Sequence, residues 1–204
     1  HPRSSAASDV YKRQEGKTVV EIIKEISQGK IKGLYVQGEN PAMSDPDQIH
    51  SRKALAKLEH LVVQDIFMTE TAWNADIILP ASAHAEKTGT YTNTNRQVQI
   101  GRAVVEPPKE VRQDWWIIQE IAKRMGLGWD YKSPKDIFDE MKLVMPSLNN
   151  ISWERLEKDN HVTYPVKSEL IPGEDIIFTN GFPTSNNLAK IIPVNLICLL
   201  YTSP

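Results

Sequence analysis

The chain carries a single cysteine, Cys198, in 204 residues. No internal disulfide can form, and this chain alone can build neither an iron–sulfur cluster nor a cysteine zinc site. A charge excess is also missing: 24 Lys and Arg against 26 Asp and Glu leave a formal net charge of -2. That argues against non-specific nucleic-acid binding, which needs a basic face. No run approaches the ~18 consecutive apolar residues of a membrane-spanning helix. The longest apolar stretch, residues 191–201, is interrupted by Pro193 and Asn195. Neither the dinucleotide fingerprint GxGxxG nor a P-loop occurs, and the histidines show no HExxH spacing. What remains is ordinary: 40% hydrophobic and 25% charged residues, enough for one domain or one and a half.

The two ends read differently from the middle. HPRSSAASDVYKRQ (1–14) and CLLYTSP (198–204) resemble translated sequencing-adaptor sequence. Neither shows a periodicity that joins it to its neighbour. The expectation is that both are non-native and that the segment between them is cut from a longer chain. A native polar tail and a native C-terminal strand are the alternative.

Between these ends strands alternate with helices. KTVVEIIKEISQGK (17–30) puts Val19, Ile22, Ile23 and Ile26 on one side at helical spacing, with Gly29 as a stop. GLYVQ (33–37) is a short strand. Residues 44–60 return to a helical pattern, with Ser44 or Asp45 as cap and Pro46 in the first turn. LVVQDIF (61–67) and DIILP (76–80) are two more strands, with a short helix capped by Thr69 between them. This order predicts α/β architecture: a parallel, Rossmann-like sheet with flanking helices and right-handed crossovers. Residues 81–112 alternate enough to be extended, with EPPKE as a loop. Asp114 opens DWWIIQEIAKRMG, whose expected apolar stripe is Trp115, Ile118, Ile121, Ala122 and Met125. Ser133 starts a helix that ends before Pro146, and 152–158 forms one more. Residues 176–194 read as two strands around a Ser-Asn-Asn turn. The expected organisation is an α/β domain over 15–175 and a strand pair over 176–197.

The strand GLYVQ stops abruptly in GENPAMSD (38–45), an acid, an amide and a proline behind a glycine. In open α/β sheets ligands bind at the carboxyl edge of the strands, where strand order reverses. Glu39, Asn40, Ser44, Gln64, Asp65 and Glu86 are expected to converge there. Carboxylates and amide oxygens accept from ribose hydroxyls and purine N–H groups, and helix starts near Ser44 and Thr69 offer N–H groups to a phosphate. A plain structural role competes at each position. Asn40 before Pro41 is a common turn element. Ser44 and Asp114 can be caps, Gln64 and Asp65 can satisfy backbone groups, and Glu86 near His84 can be surface structure.

Taken together, GENPAMSDPD, LVVQDIFMTETAWNADIILPASAHAEKTGTYTNTNRQVQ, AVVEPP and DWWIIQEIAKRMG resemble, in order and spacing, the large subunit of molybdopterin-dependent formate dehydrogenases. These belong to the bis-molybdopterin-guanine-dinucleotide oxidoreductases. The resemblance runs from about Thr18 to Val194, and WERLEKDNHVTYPV tilts it towards formate dehydrogenase. It implies a partial cofactor-binding region of a larger multidomain protein that takes formate to carbon dioxide at molybdenum or tungsten. Positions matching Asn40, Ser44, Gln64 and Asp114 would contact one guanine dinucleotide, with Gly38 and Glu39 shaping the loop and Asp65 adjacent. Where many relatives carry Asp, this chain has Asn40, which keeps an acceptor and loses the charge.

The iron–sulfur cysteines, the cysteine or selenocysteine metal ligand and the catalytic histidine of that family would lie upstream. The C-terminal β-barrel would lie downstream. His84 does not match the catalytic histidine. No catalytic residue and no metal ligand is expected in this segment, which should be inactive alone. Electron-transfer subunits are compatible partners; nucleic acid is not. The compartment is open between cytoplasm, the leading expectation, and periplasm. Competing readings are a nitrate-reductase-like subunit, the metal-free large subunit of an NADH–quinone oxidoreductase, or a nucleotide-binding scaffold module without redox chemistry.

Overall fold

The computed structural model describes residues 16–193. Both adaptor-like ends and residues 194–197 lie outside them. The chain divides after Pro80 into two compact units, where one α/β domain over 15–175 was expected.

The first unit opens with α1 (Val19–Ser27). Thr18 caps it reciprocally: its Oγ1 accepts from the Glu21 amide at 3.3 Å, and Glu21 accepts from the Thr18 amide at 2.7 Å. Gly29, at φ +72°, turns the chain out of the helix. Then follow β1 (Gly33–Gln37), the single-turn α2 (Pro41–Ser44), α3 (Gln48–Leu55), β2 (His60–Asp65), a 3₁₀ turn (Ala72–Asn74) and β3 (Ile77–Pro80). The expected helix from Ser44 is broken in two. Asp45, before Pro46, is extended at φ -67°, ψ 141°, as pre-proline sterics favour. Asp47 caps α3 instead, accepting from the His50 amide at 3.0 Å.

The three strands are parallel in the order β1-β2-β3, so the order does not reverse among them. Register pairs Leu34 with Leu61, and Val36 with Val63 and through it Ile78, on one face. That face is covered over β1 and β2: Ile23, Ile26, Ala54 and Leu55 form a core on which Leu34 packs, and Leu61 and Val63 are fully buried, whereas Ile78 on β3 is exposed. On the other face Tyr35 and Ile77 are exposed.

The second unit holds an antiparallel sheet of β4 (Gly89–Thr92), β5 (Gln97–Gly101) and β6 (His161–Thr163), in that order. The last strand was not anticipated, because three residues carry no usable periodicity. The helices are α4 (Asp114–Arg124), α5 (Pro134–Val144) and α6 (Trp153–Asp159). Ser133 starts α5, as read from the sequence, and caps it reciprocally with Asp136. The core gathers Val98, Phe138, Leu148, Ile151, Leu156 and Val162.

Two expectations fail here. On α4 the buried side chains are Ile117, Gln119 and Ala122, whereas Ile118 and Met125 are exposed. The helix turns Gln119 inward because its amide holds the loop before α5. It accepts from the Tyr131 amide at 2.6 Å and donates to the Tyr131 carbonyl at 3.2 Å. An apolar count cannot see a buried amide. Residues 176–193 form turns, not strands. Ile176, Leu188, Ile191 and Ile192 are exposed, and a lone two-stranded hairpin without a packed face is marginal in water.

Candidate functional site

The carboxyl ends of β1 and β2 carry six of the seven candidate residues. Gly38, Glu39, Asn40 and Ser44 lie in and just after the β1 loop; Gln64 and Asp65 end β2. Gln37 pairs with Gln64, and the Gly38 amide donates to the Gln64 carbonyl at 2.9 Å, so the loops leave side by side. Gly38 sits at φ +62°, a backbone a β-carbon disfavours, which lets the strand turn immediately.

These residues differ in what they present. Glu39 and Ser44 are exposed, and Asp65 is half-buried. Asp65 Oδ1 accepts from the Ile66 and Phe67 amides at 2.7 and 3.2 Å, shaping the β2 loop. Gln64 is fully buried and accepts from the Tyr35 hydroxyl. Asn40 is turned inward. Its Oδ1 accepts from the Thr71 amide at 3.1 Å and from Thr71 Oγ1 at 2.7 Å. Its Nδ2 donates to Glu70 at 2.7 Å. Thr71 Oγ1 accepts in turn from the Ala42 amide at 3.1 Å, and both residues are buried. Arg52 of α3 donates from Nε to the Ala42 carbonyl at 2.7 Å.

The expected phosphate-binding N–H groups are already used. Pro41 has none, Ala42 donates to Thr71, and Met43 and Ser44 donate to the Asn40 carbonyl. Ser44 is therefore the last residue of a helical turn, not a cap. In the second loop Ala72 and Trp73 both donate to Thr69. The amide of Asn40 holds the Glu70 carboxyl below its ordinary value, and the charge of Arg52 adds to this. A carboxyl with a lowered pKa contributes stability above its unfolded value and loses it as pH falls through its folded one. The β1–β2 loop contact should therefore loosen in acid, which Glu70→Gln removes; NMR of the Asn40 side-chain amide checks this.

Asp114 belongs to the second unit. It is the first residue of α4, not the cap, and an acid there favours the helix start. It forms an ion pair with Lys87, both about a quarter exposed. The pair borders a cavity of about 240 Å³ lined also by Tyr91, Trp115, Phe138 and Met141. Glu86, also in this unit, accepts from the Ala83 amide at 2.8 Å, a turn-closing role. Tyr35, Glu70, Thr71 and Lys87 were missed. Only Thr71 carried a signal, as a polar β-branched residue just before buried Ala72. Among the described residues no group of three or more His, Cys, Asp or Glu could hold a metal ion. None of their helices is long and apolar enough to cross a membrane.

The first unit is thus a parallel α/β sheet whose first two strands end in acidic and amide-bearing loops. The match to known proteins narrows this. The chain belongs to the molybdopterin oxidoreductase family, whose model matches residues 3–124. It is 46% identical over 181 residues to the F420-dependent formate dehydrogenase subunit alpha of Methanocaldococcus jannaschii, covering 88% of this chain and 27% of that one. It is 41% identical over 184 residues to the F420-dependent formate dehydrogenase 2 subunit alpha of Methanococcus maripaludis, covering 89% and 27%. The chain thus spans about a quarter of the length of these relatives. The solved structure of acetylene hydratase from Pelobacter acetylenicus superposes with a TM-score of 0.59 at 25% identity, over 72% of this chain and 21% of that one.

Proposed function

We propose that this chain is part of a formate dehydrogenase large subunit and that its first unit helps hold one molybdopterin guanine dinucleotide. The observation that carries the reading is the 46% identity to a formate dehydrogenase alpha subunit over 88% of the chain. The family implies a molybdopterin cofactor. The chemistry of exposed Glu39 and Ser44 and of half-buried Asp65 fits its nucleotide end. Glu39 and Asp65 supply carboxylate oxygens for ribose hydroxyls or guanine N–H groups, and the Ser44 hydroxyl donates or accepts. Gln64, buried under Tyr35, and Asn40, held by Thr71 and Glu70, keep these loops in place. When bound, the cofactor would supply the metal at which formate is oxidised. In this reading the residues of the chain bind and orient it, and take no part in the bond-breaking step.

Two measurements test this. Purified chain should reduce no dye in the presence of formate; turnover above a no-protein control would overturn the inactive-part reading. Residues 18–193, exchanged for the matching stretch of the Methanocaldococcus jannaschii subunit, should give a protein that retains guanine dinucleotide and oxidises formate. Glu39→Ala with Ser44→Ala in that chimera should lower nucleotide content severalfold. A folded chimera that holds no nucleotide would overturn the site.

A further inference from the structure

In the cofactor reading Asn40 keeps the two candidate loops in place, and the contact by which it does so carries a further consequence. Asn40 turns its side chain to the protein: Oδ1 takes two hydrogen bonds from Thr71, and Nδ2 gives one to Glu70. Thr71 is fully buried and passes the connection on to the Ala42 amide, which starts α2. One side chain thus links the end of β1, the start of α2 and the loop after β2. An amide is the only side chain of this size that both accepts twice and donates here. Without Asn40 the Thr71 amide and hydroxyl would lose their acceptor, which is costly, and the hydroxyl to which the Ala42 amide donates would no longer be fixed.

We propose that Asn40, Glu70 and Thr71 form a positioning clamp in which residues 40 and 70 are matched as a pair, the amide of one requiring the acceptor of the other. Asn40 is then a positioning residue. The groups that the β1 loop turns outward are Glu39 and Ser44, and the clamp sets where they stand. The charged groups about the contact are Glu70 itself and Arg52 of α3. A carboxylate at position 40 would still accept from Thr71. It would have no donor for Glu70 and would face a like charge at the 2.7 Å the amide now occupies.

This predicts a pattern that a merely tolerant turn would not give. The readout is the hydrogen-exchange protection of the Thr71 and Ala42 amides in the full chain, measured without nucleotide. Asn40→Ala should lower both roughly tenfold or more. Asn40→Asp should lower them about tenfold at pH 7. One of two facing carboxyls has a raised folded pKa, so its penalty appears as pH rises through that value and fades below it. Protection in Asn40→Asp should therefore return to within roughly threefold of the parent at pH 4. Glu70→Gln alone should change little, since its amide oxygen still accepts from Asn40. The double variant Asn40→Asp with Glu70→Gln should regain protection at pH 7, because the new amide donates to the new carboxylate.

The clamp is overturned if Asn40→Asp behaves as the parent at pH 7. It is also overturned if that variant loses protection equally at both pH values, or is not rescued by Glu70→Gln. The proposal bears on the cofactor site but is read without cofactor. An intact clamp beside a folded chimera that holds no nucleotide would sink the cofactor site and leave the clamp, and the reverse holds too.

Discussion

Gly173→Ala should collapse the closing loop of the second unit. A β-carbon on Gly173 would lie 1.4 Å from the Thr163 carbonyl oxygen and 2.5 Å from its carbon. Both are backbone atoms of β6, and no rotamer change relieves them. The loop would have to lift away from the strand. Its other ties run through Arg96, whose Nη1 donates to the Glu174 carbonyl at 3.0 Å and whose Nη2 donates to the Asp175 carbonyl at 2.8 Å. The Glu174 amide also donates to the Pro165 carbonyl at 3.1 Å. Hydrogen bonds to a charged group are worth about 1.5–3 kcal/mol each, so the loss should exceed about 3 kcal/mol. For a chain of this size that is a fall in Tm of roughly 6–12 °C. Limited proteolysis should at the same time open residues 164–175 to cleavage. Gly101→Ala is the control. Its β-carbon meets only the Tyr91 ring, at 2.4 Å, and a side chain can swing aside. Equal melting of Gly173→Ala and the parent would mean that the loop does not seat on β6.

Phe138→Ala should be the most damaging simple truncation in the core. Phe138 is the largest of the fully buried side chains and meets Trp153 edge-on, with centroids 6.3 Å apart. It lies among Val98, Leu148, Ile151, Leu156 and Val162, which come from the two strands β5 and β6, a 3₁₀ turn, α6 and the loop before it. Removing the ring leaves a void that these elements cannot all close on. Truncations of this kind cost about 3–5 kcal/mol. The ring is also one wall of the cavity beside Asp114 and Lys87, so the variant enlarges that space. Urea unfolding followed by Trp fluorescence checks the magnitude, and Phe138→Leu should recover more than half of the loss. A loss below about 1 kcal/mol for the alanine variant would show that the core repacks freely.

Much of the fold was legible from local chemistry. Ser133 signalled its helix, and the structure adds that there and at Thr18 a hydroxyl three residues before a carboxylate satisfies two amides at once. The three parallel strands declared themselves as apolar runs between helical patterns, and their carboxyl edge followed from topology. The misreadings share a cause. The stripe on α4 was right at Ala122 and wrong at Ile118 and Met125, because buried Gln119 is selected by the Tyr131 backbone, a partner distant in sequence. Residues 176–193 have strand-like composition but no surface to pair with among the described residues. β6 was too short to show a period and exists because β5 offers it a partner.

The candidate site divides in the same way. Sequence placed Gly38, Glu39, Asn40, Ser44, Gln64 and Asp65 at one sheet edge, because each follows a strand of the same direction. It could not say which of them face out. Asn40 and Gln64 carry the same amide group as any exposed Asn or Gln, and Glu39 the same carboxylate as Glu70. Whether such a group meets solvent or a buried hydroxyl depends on what the neighbouring loop brings to it. Thr71 comes to Asn40 from 31 residues away, and Tyr35 to Gln64 from 29. The sequence by itself determined the parallel α/β order and the family, because periodicity, capping and loop chemistry are local. Only the tertiary structure decided which polar groups hold the loops and which remain to meet a ligand, because hydrogen-bond partners are set by packing across the chain.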